Sequence, residues 1–515
     1  MARTSIRSRK KWITVRKAVQ ITALLTFVAL IVAARRGGWP VEVVNVPLRL
    51  DPLLMLAHAL ATRTLLIGSL LALIIVVLTL VFGRAWCGWL CPLGTVLDLF
   101  TLKRWRKKSA GVSDKWRAVK YGLLLTISIA AILGNLSLLI LDPITIMVRT
   151  VSIGVWPALD QTVTSLEHTL YQAPFLQDSI SAFDNALRPT IFPIDPAFYR
   201  EVVLFALIFI GLIALNALAP RFWCRYLCPL GGLLGAISKV AIFRREVRGD
   251  CNACGACQIK CPTDTIDPDR DFASDPAECT MCLDCWAVCA QSGVKFPAHV
   301  SIAPRHDYDP NRRQALIAIG AAVTGLALIN SDAVARRDQP HLLRPPGARE
   351  NDLLDKCVRC NLCSRACPTS GLQPSITEAG LEGFWTPILV PRLGYCDYAC
   401  NACGQVCPVQ AIPPLSLDEK RQRVIGKAYI DQNRCIAWAD HRDCIVCEEM
   451  CPLPEKAITL EKAVVIKTDG TTATVQLPHV DREKCIGCGI CEYKCPLNGE
   501  AAIRVYVPGN STPFA

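Results

Sequence analysis

The sequence predicts a multidomain membrane protein, a four-helix transmembrane bundle joined to α+β ferredoxin-like [4Fe–4S] domains. Three observations predict it. Four long apolar stretches flanked by charge lie ahead of Pro220. Of the 28 cysteines, 24 fall into six four-cysteine arrays. The chain of 515 residues is 52% hydrophobic with a mean hydropathy of +0.32, too long for one small domain and too apolar for a wholly soluble protein.

The apolar stretches cover residues 18–34, 64–83, 121–141 and 202–219. Each comes close to the ~20 residues that cross a bilayer, and none carries a charged side chain inside. A net charge of +12 could point to nucleic acid, but the basic residues are clustered. Residues 1–17 hold seven Lys or Arg and no acid, and residues 84–120 hold nine bases against two acids. Such clustering is a topology signal, so no nucleic-acid partner is expected, and both segments are placed in the cytoplasm. The loop 142–200, with six acids and three bases, then lies outside.

An internal repeat follows the second and fourth stretches. Arg84-Ala85-Trp86-Cys87-Gly88-Trp89-Leu90-Cys91-Pro92-Leu93-Gly94 matches Arg221-Phe222-Trp223-Cys224-Arg225-Tyr226-Leu227-Cys228-Pro229-Leu230-Gly231 at Arg, Trp, both Cys, Leu, Pro, Leu and Gly. Two hairpins therefore each end in C-x3-C-P at the cytoplasmic face. Cys87, Cys91, Cys224 and Cys228 are enough for thiol redox chemistry or for one more metal or cluster. The plain alternative is four reduced interfacial thiols beside helix-breaking prolines.

The remaining cysteines carry the main chemistry. Cys251, Cys254, Cys257 and Cys261, followed by Pro262, have the C-x2-C-x2-C-x3-C-P spacing of bacterial ferredoxins. Cys279, Cys282, Cys285 and Cys289 repeat it with Ala290 in place of the proline. Three thiolates within seven residues can wrap one face of a cubane, while the fourth cysteine of such a run serves the neighbouring cluster. Cys251, Cys254, Cys257 and Cys289 are therefore assigned to one cluster, and Cys279, Cys282, Cys285 and Cys261 to the other. Structural zinc would instead draw on two separated C-x2-C pairs.

Four further arrays follow Lys356: Cys357, Cys360, Cys363 and Cys367; Cys396, Cys400, Cys403 and Cys407; Cys435, Cys444, Cys447 and Cys451; and Cys485, Cys488, Cys491 and Cys495. Their pairing, sequential or nested, is not readable from spacing. Short strands interleave, at 424–431 and in a hairpin over 463–477 that turns at Asp469-Gly470. Six arrays in series imply six [4Fe–4S] clusters and an electron wire. Between the two groups, Arg312-Arg313, a modest apolar run and Ala333-Val334-Ala335 have the parts of a twin-arginine export signal; a short buried helix is the alternative. The chain so divides into a transmembrane domain (1–240), a cytoplasmic two-cluster domain (241–300), a linker with export signal or fifth helix (301–337), and a periplasmic four-cluster domain (338–515).

On these motifs, residues 1 to about 300 resemble the NapH and MauN membrane polyferredoxins, and residues from about 308 onward resemble the NapG and MauM periplasmic ferredoxins. The chain looks like a fusion of the two. Ala315 departs from the phenylalanine usual in such leaders. The resemblance implies a multi-pass protein of the bacterial inner membrane. It also implies a quinol dehydrogenase, taking electrons from membrane quinol to a periplasmic redox enzyme or c-type cytochrome.

No charged residue lies within the apolar stretches, so protons from quinol must leave at a helix end. Asp51, His58, Asp142 and His168 in the outer loops are the available acceptors, although each such residue is more often an ordinary surface residue than a proton acceptor. No G-x-G-x-x-G follows a strand, which argues against an attached NAD or flavin domain. Two rival functions remain at this level. One is metal-centre maturation of the copper-reductase kind, which leaves the C-terminal arrays unexplained. The other is a regulatory or assembly polyferredoxin, whose added flavin domain is missing here.

Overall fold

The computed structural model describes residues 2–34, 40–101, 114–188, 192, 197–248, 251–291, 293–299, 319–320, 323–324, 341–466 and 472–508. Arg312-Arg313 and Ala333-Val334-Ala335 lie outside the described residues. The chain divides into two compact units. One comprises Met1–Ile31, Glu42–Thr150 and Leu204–Leu328; the other comprises Val32–Val41, Val151–Val203 and Ile329–Ala515.

In the first unit the basic N-terminus and the first apolar stretch form one continuous helix, α1 (Ala2–Ala33). Its portion Arg9–Ala33 is the one helix among the described residues that is long and apolar enough to cross a membrane by itself. The other three expected spans are shorter than their apolar runs. In order along the chain stand α2 (Pro52–Thr62), α3 (Ala72–Phe82), α4 (Pro92–Leu99), α5 (Ala118–Ile132), α6 (Pro143–Arg149), α7 (Trp156–Tyr171, in the second unit), α8 (Val202–Ala214) and α9 (Pro229–Ser238), and of these α3, α5 and α8 are what the three expected spans form. The breaks have local causes. Gly83 ends α3 at φ 65°, Gly134 at φ 82° follows α5, and 3₁₀ turns at Ile67–Leu71, Ser137–Leu141 and Leu215–Ala217 take up the remaining apolar residues. At 1.5 Å per residue the 15 residues of α5 reach only about 22 Å, short of a ~30 Å hydrocarbon core. The segment 142–200, expected as a loop, is largely helical: α6 runs through a π-helical stretch, Thr150–Val155, into α7, and Gln177–Leu187 follows.

Four of these helices begin alike, with proline at the first turn and a capping side chain before it. Cys91 Sγ accepts from Gly94 N–H (3.5 Å) and Cys228 Sγ from Gly231 N–H (3.2 Å). Asp51 Oδ1 accepts from Leu53 and Leu54 N–H (2.8 and 3.3 Å), and Asp142 Oδ2 from Thr145 N–H (2.7 Å). Proline costs nothing at this position because its missing N–H would have been unpaired, and the cap satisfies the next donors. The Asp-capped helices pack on the Cys-capped ones, α2 against α9 and α6 against α4.

The ferredoxin part of the same unit is held to these helices by buried charge. Glu278 receives Lys120 Nζ, Arg84 Nη1 (3.3 Å) and Arg117 Nη1 (3.8 Å). Burial opposes ionisation of Glu278, but Lys120, Arg84 and Arg117 outweigh it and hold the carboxyl below its usual range. Arg16 on α1 bonds both carboxylate oxygens of Asp284 (3.0 and 3.1 Å), and Arg9 donates to Cys289 O (3.1 Å). The N-terminal bases read as a topology signal thus also anchor the cluster domain. Gly88 allows the closest approach, because a Cβ there would lie 2.2 Å from Thr280 O.

In the second unit Tyr199, in the segment leading to α8, donates to Ser364 O (2.9 Å), and Gln373 donates to Phe198 O (2.9 Å). The expected hairpin is present as strands Ile458–Ile466 and Thr472–Val480, antiparallel, with Asp469-Gly470 outside the described residues. The expected strand at 424–431 is Lys427–Ile430, paired with Ile503–Tyr506. Otherwise the strands are pairs of two or three residues, so little apolar core exists apart from what surrounds the cysteines.

Candidate metal centres

Four of the cysteine sets surround cavities, and each cavity draws three thiols from one array and the fourth from another. Cys251, Cys254, Cys257 and Cys289 line a cavity of ≈ 390 Å³. Cys396, Cys400 and Cys403 meet Cys367 around ≈ 380 Å³. Cys435, Cys444 and Cys447 meet Cys495 around another ≈ 380 Å³, and Cys485, Cys488 and Cys491 meet Cys451 around ≈ 350 Å³. The two reciprocal sets are within electrostatic reach of each other: Cys279, Cys282 and Cys285 with Cys261, and Cys357 and Cys363 with Cys407. The last four arrays therefore pair sequentially, third with fourth and fifth with sixth.

The backbone explains the C-x2-C-x2-C spacing. In the four regular arrays the residues on either side of the second cysteine are left-handed: Ala253 and Gly255, Met281 and Leu283, Arg359 and Asn361, Gly487 and Gly489. Alternating hand turns successive N–H groups inward and makes a concave, anion-binding nest. Met281, Leu283 and Arg359 pay about 1–2 kcal/mol each for this conformation, a strain kept where a bound group over-determines the loop. Sequence reading missed these residues, and only the glycines among them gave a signal.

None of the 28 cysteines is in a disulfide. Burial pushes the thiols of Cys279, Cys285, Cys396 and Cys447 up to about 12, and those of Cys407 and Cys488 to about 11. They ionise only when a positive centre is supplied, so binding of iron releases protons. Among the described residues no three His, Cys, Asp or Glu side chains converge closely enough to hold one metal ion. Tetrahedral zinc with bonds of ~2.3 Å needs sulfurs roughly 3.8 Å apart. The three-plus-one sets, with their inward N–H groups, fit a cubane.

One backbone contact joins the two pairs of sets in the second unit. Cys396 N–H donates to Cys488 O (2.8 Å), which joins the third–fourth pair to the fifth–sixth. Tyr199 reaches Ser364 beside Cys363, at the other end of that series.

Cys87, Cys91, Cys224 and Cys228 come together in the first unit, all buried and each within electrostatic reach of others in the set. Of the proton-acceptor candidates, Asp51 and Asp142 are not surface residues. Both are fully buried and lie within electrostatic reach of each other, and one oxygen of each, Asp51 Oδ2 and Asp142 Oδ1, has no hydrogen-bond partner among the described residues. His58 is buried one to two turns along α2, its Nδ1 3.4 Å from Thr62 Oγ1, whereas His168 is exposed in the last turn of α7. The signal for the pair was a second repeat, Leu50-Asp51-Pro52 and Leu141-Asp142-Pro143.

Comparison with known proteins agrees with the cysteine chemistry. A 4Fe–4S binding domain family matches residues 64–112 and 202–248, the two stretches that hold the C-x3-C-P motifs, and another 4Fe–4S binding domain family matches residues 477–503. The methylamine utilization ferredoxin-type protein MauM of Methylorubrum extorquens is 36% identical over 208 residues, covering 38% of this chain and 89% of that protein. The ferredoxin-type protein NapG of Escherichia coli is 37% identical over 192 residues, covering 36% and 79%. MauM of Paracoccus denitrificans is 35% identical over 207 residues, covering 38% and 86%. No solved structure matches the chain.

Proposed function

The chain belongs to the family of MauM and NapG ferredoxin-type iron–sulfur electron-transfer proteins, and from that premise we propose that it is a membrane quinol dehydrogenase component. It takes electrons from membrane quinol, through six [4Fe–4S] clusters, to a periplasmic reductase or cytochrome. The observation that carries the reading is the three-plus-one arrangement of thiols, repeated through the chain, with the third–fourth pair of arrays joined to the fifth–sixth by the Cys396–Cys488 hydrogen bond. A bound [4Fe–4S] cluster supplies reversible one-electron storage, and sets placed in series give electrons a path.

The 24 ligands are those of the six sets above. In the second unit the path enters beside Cys363, where Tyr199 leads to α8, and ends at Cys435, Cys444, Cys447 and Cys495. The apolar helices of the first unit form a NapH- and MauN-like bundle, with α1 as its one full-length span and the rest assembled from shorter helices. Quinol is apolar, so it meets the protein there. The Asp51–Asp142 pair accepts its protons, because two buried carboxyl groups in contact share one proton and can take up another. The N-terminus and Cys251–Cys289 region are cytoplasmic, and residues after the twin arginines are exported.

Anaerobic mixing of the full chain with ubiquinol or menaquinol, followed by cluster absorbance, tests the reading. Bleaching by at least one quinol is expected. Clusters that dithionite bleaches and neither quinol touches would refute it.

A further inference from the structure

We propose that Arg245 is a charge shared by both clusters of the 251–289 region, and that it holds their two reduction potentials up together. The inference rests on the iron–sulfur reading of the protein and is independent of quinol as its substrate.

Arg245 is fixed by the backbone on both sides. The residue before it, Arg244, donates its N–H to Pro297 O (3.4 Å), and the two after it, Glu246 and Val247, pair antiparallel with Lys295 and Val294. Its Nη1 donates to Phe272 O (2.7 Å), a carbonyl presented by two successive left-handed residues, Asp271 (φ 50°) and Phe272 (φ 58°). Arg245 and Phe272 both line the cavity enclosed by Cys251, Cys254, Cys257 and Cys289. The same guanidinium is within electrostatic reach of Cys279 and Cys285, which belong to the other set. One side chain thus serves both.

What Arg245 lacks identifies what it faces. It is 8% exposed, and no carboxylate pairs with it among the described residues. Its Nε and Nη2 are buried with no hydrogen-bond partner among the described residues. A buried cation with no anion and two idle donors is costly. The neighbouring thiols offer no counter-charge by themselves. Burial pushes Cys257, Cys279 and Cys285 up, and Arg245 opposes that only in part. A [4Fe–4S] core held by thiolates supplies both missing things, negative charge and sulfur acceptors. Reduction adds a further negative charge, so a fixed cation in a dry site favours the reduced form. Because Arg245 acts on both sets, it raises both potentials in the same direction and keeps the electron step between them from becoming steep.

Electron paramagnetic resonance of the anaerobically reconstituted full chain, poised over a range of potentials, reads the midpoint of each cluster. In Arg245→Gln two midpoints should fall by about 59 mV or more, a tenfold change in the one-electron equilibrium, with the others unmoved. Arg245→Lys keeps the charge and should restore most of each loss. Should the glutamine variant fail to load this region, it should lose both clusters at once, about eight irons, and the lysine variant should regain both. One midpoint moving alone, neither moving, or one cluster lost alone overturns the inference and leaves the six-cluster reading standing. A lysine variant that behaves as the glutamine variant does also overturns it, because the charge would then not be what matters. A wild type without clusters overturns both readings.

Discussion

Replacing Glu278 by glutamine removes the carboxylate on which Lys120, Arg84 and Arg117 converge, while keeping the shape of the side chain. Glu278 is 2% exposed and Arg84 and Lys120 are 1% and 0% exposed, so water cannot take over its role. Cations at 3.3 and 3.8 Å attract it by about 4–5 kcal/mol each at an effective dielectric of 20, before desolvation is subtracted. Measured losses on breaking a buried pair are about 3–5 kcal/mol, because the surviving charge stays buried. Three surviving cations put E278Q at or above the lower figure, which corresponds to roughly 100-fold more frequent detachment of the ferredoxin part from the helices. Amide hydrogen exchange in lipid, read at segments 84–89 and 275–289, measures that opening. Both segments should exchange about 100-fold faster in E278Q, with the cluster content retained. Exchange within threefold of wild type would refute the electrostatic account of this contact.

Cys289→Ser should expose Cys251, Cys254 and Cys257 to alkylation and leave Cys279, Cys282 and Cys285 protected; the reverse pattern would mean that each array holds its own cluster. Asp51→Asn keeps a good helix cap, so the fold should persist while quinol-driven cluster reduction slows by about 10²–10⁴-fold, the usual worth of a positioned acid or base. An unchanged rate would return the pair to a capping role. Replacing Arg312 and Arg313 together by lysine should trap the C-terminal region inside spheroplasts, protected from added protease; a protected wild type would place all the clusters in the cytoplasm.

The cysteine arrays were legible because a cubane would need its thiolates at fixed short intervals, and that leaves a pattern in sequence. The crossing of Cys261 and Cys289 followed from the same rule. The pairing of Cys367 with Cys396, or Cys495 with Cys435, did not, because it depends on how separate arrays fold together. Helix lengths were misjudged because apolar composition continues through Gly134 and through the 3₁₀ turns, where the backbone does not stay α-helical. Asp51 and Asp142 read as loop residues because each stands alone in the chain. Their meaning comes from a contact between residues 91 apart, and only the repeated Leu-Asp-Pro hinted at it.

The account turns on electrons entering from quinol and leaving through the C-terminal sets. Freeze-quenched electron paramagnetic resonance on the full chain in lipid vesicles, mixed anaerobically with quinol, reads both steps. Reduced-cluster signals should appear with quinol alone and vanish when a membrane-impermeant oxidant is added on the side of the C-terminal domain. Signals that dithionite produces and quinol does not, or that the oxidant leaves untouched, would contradict it.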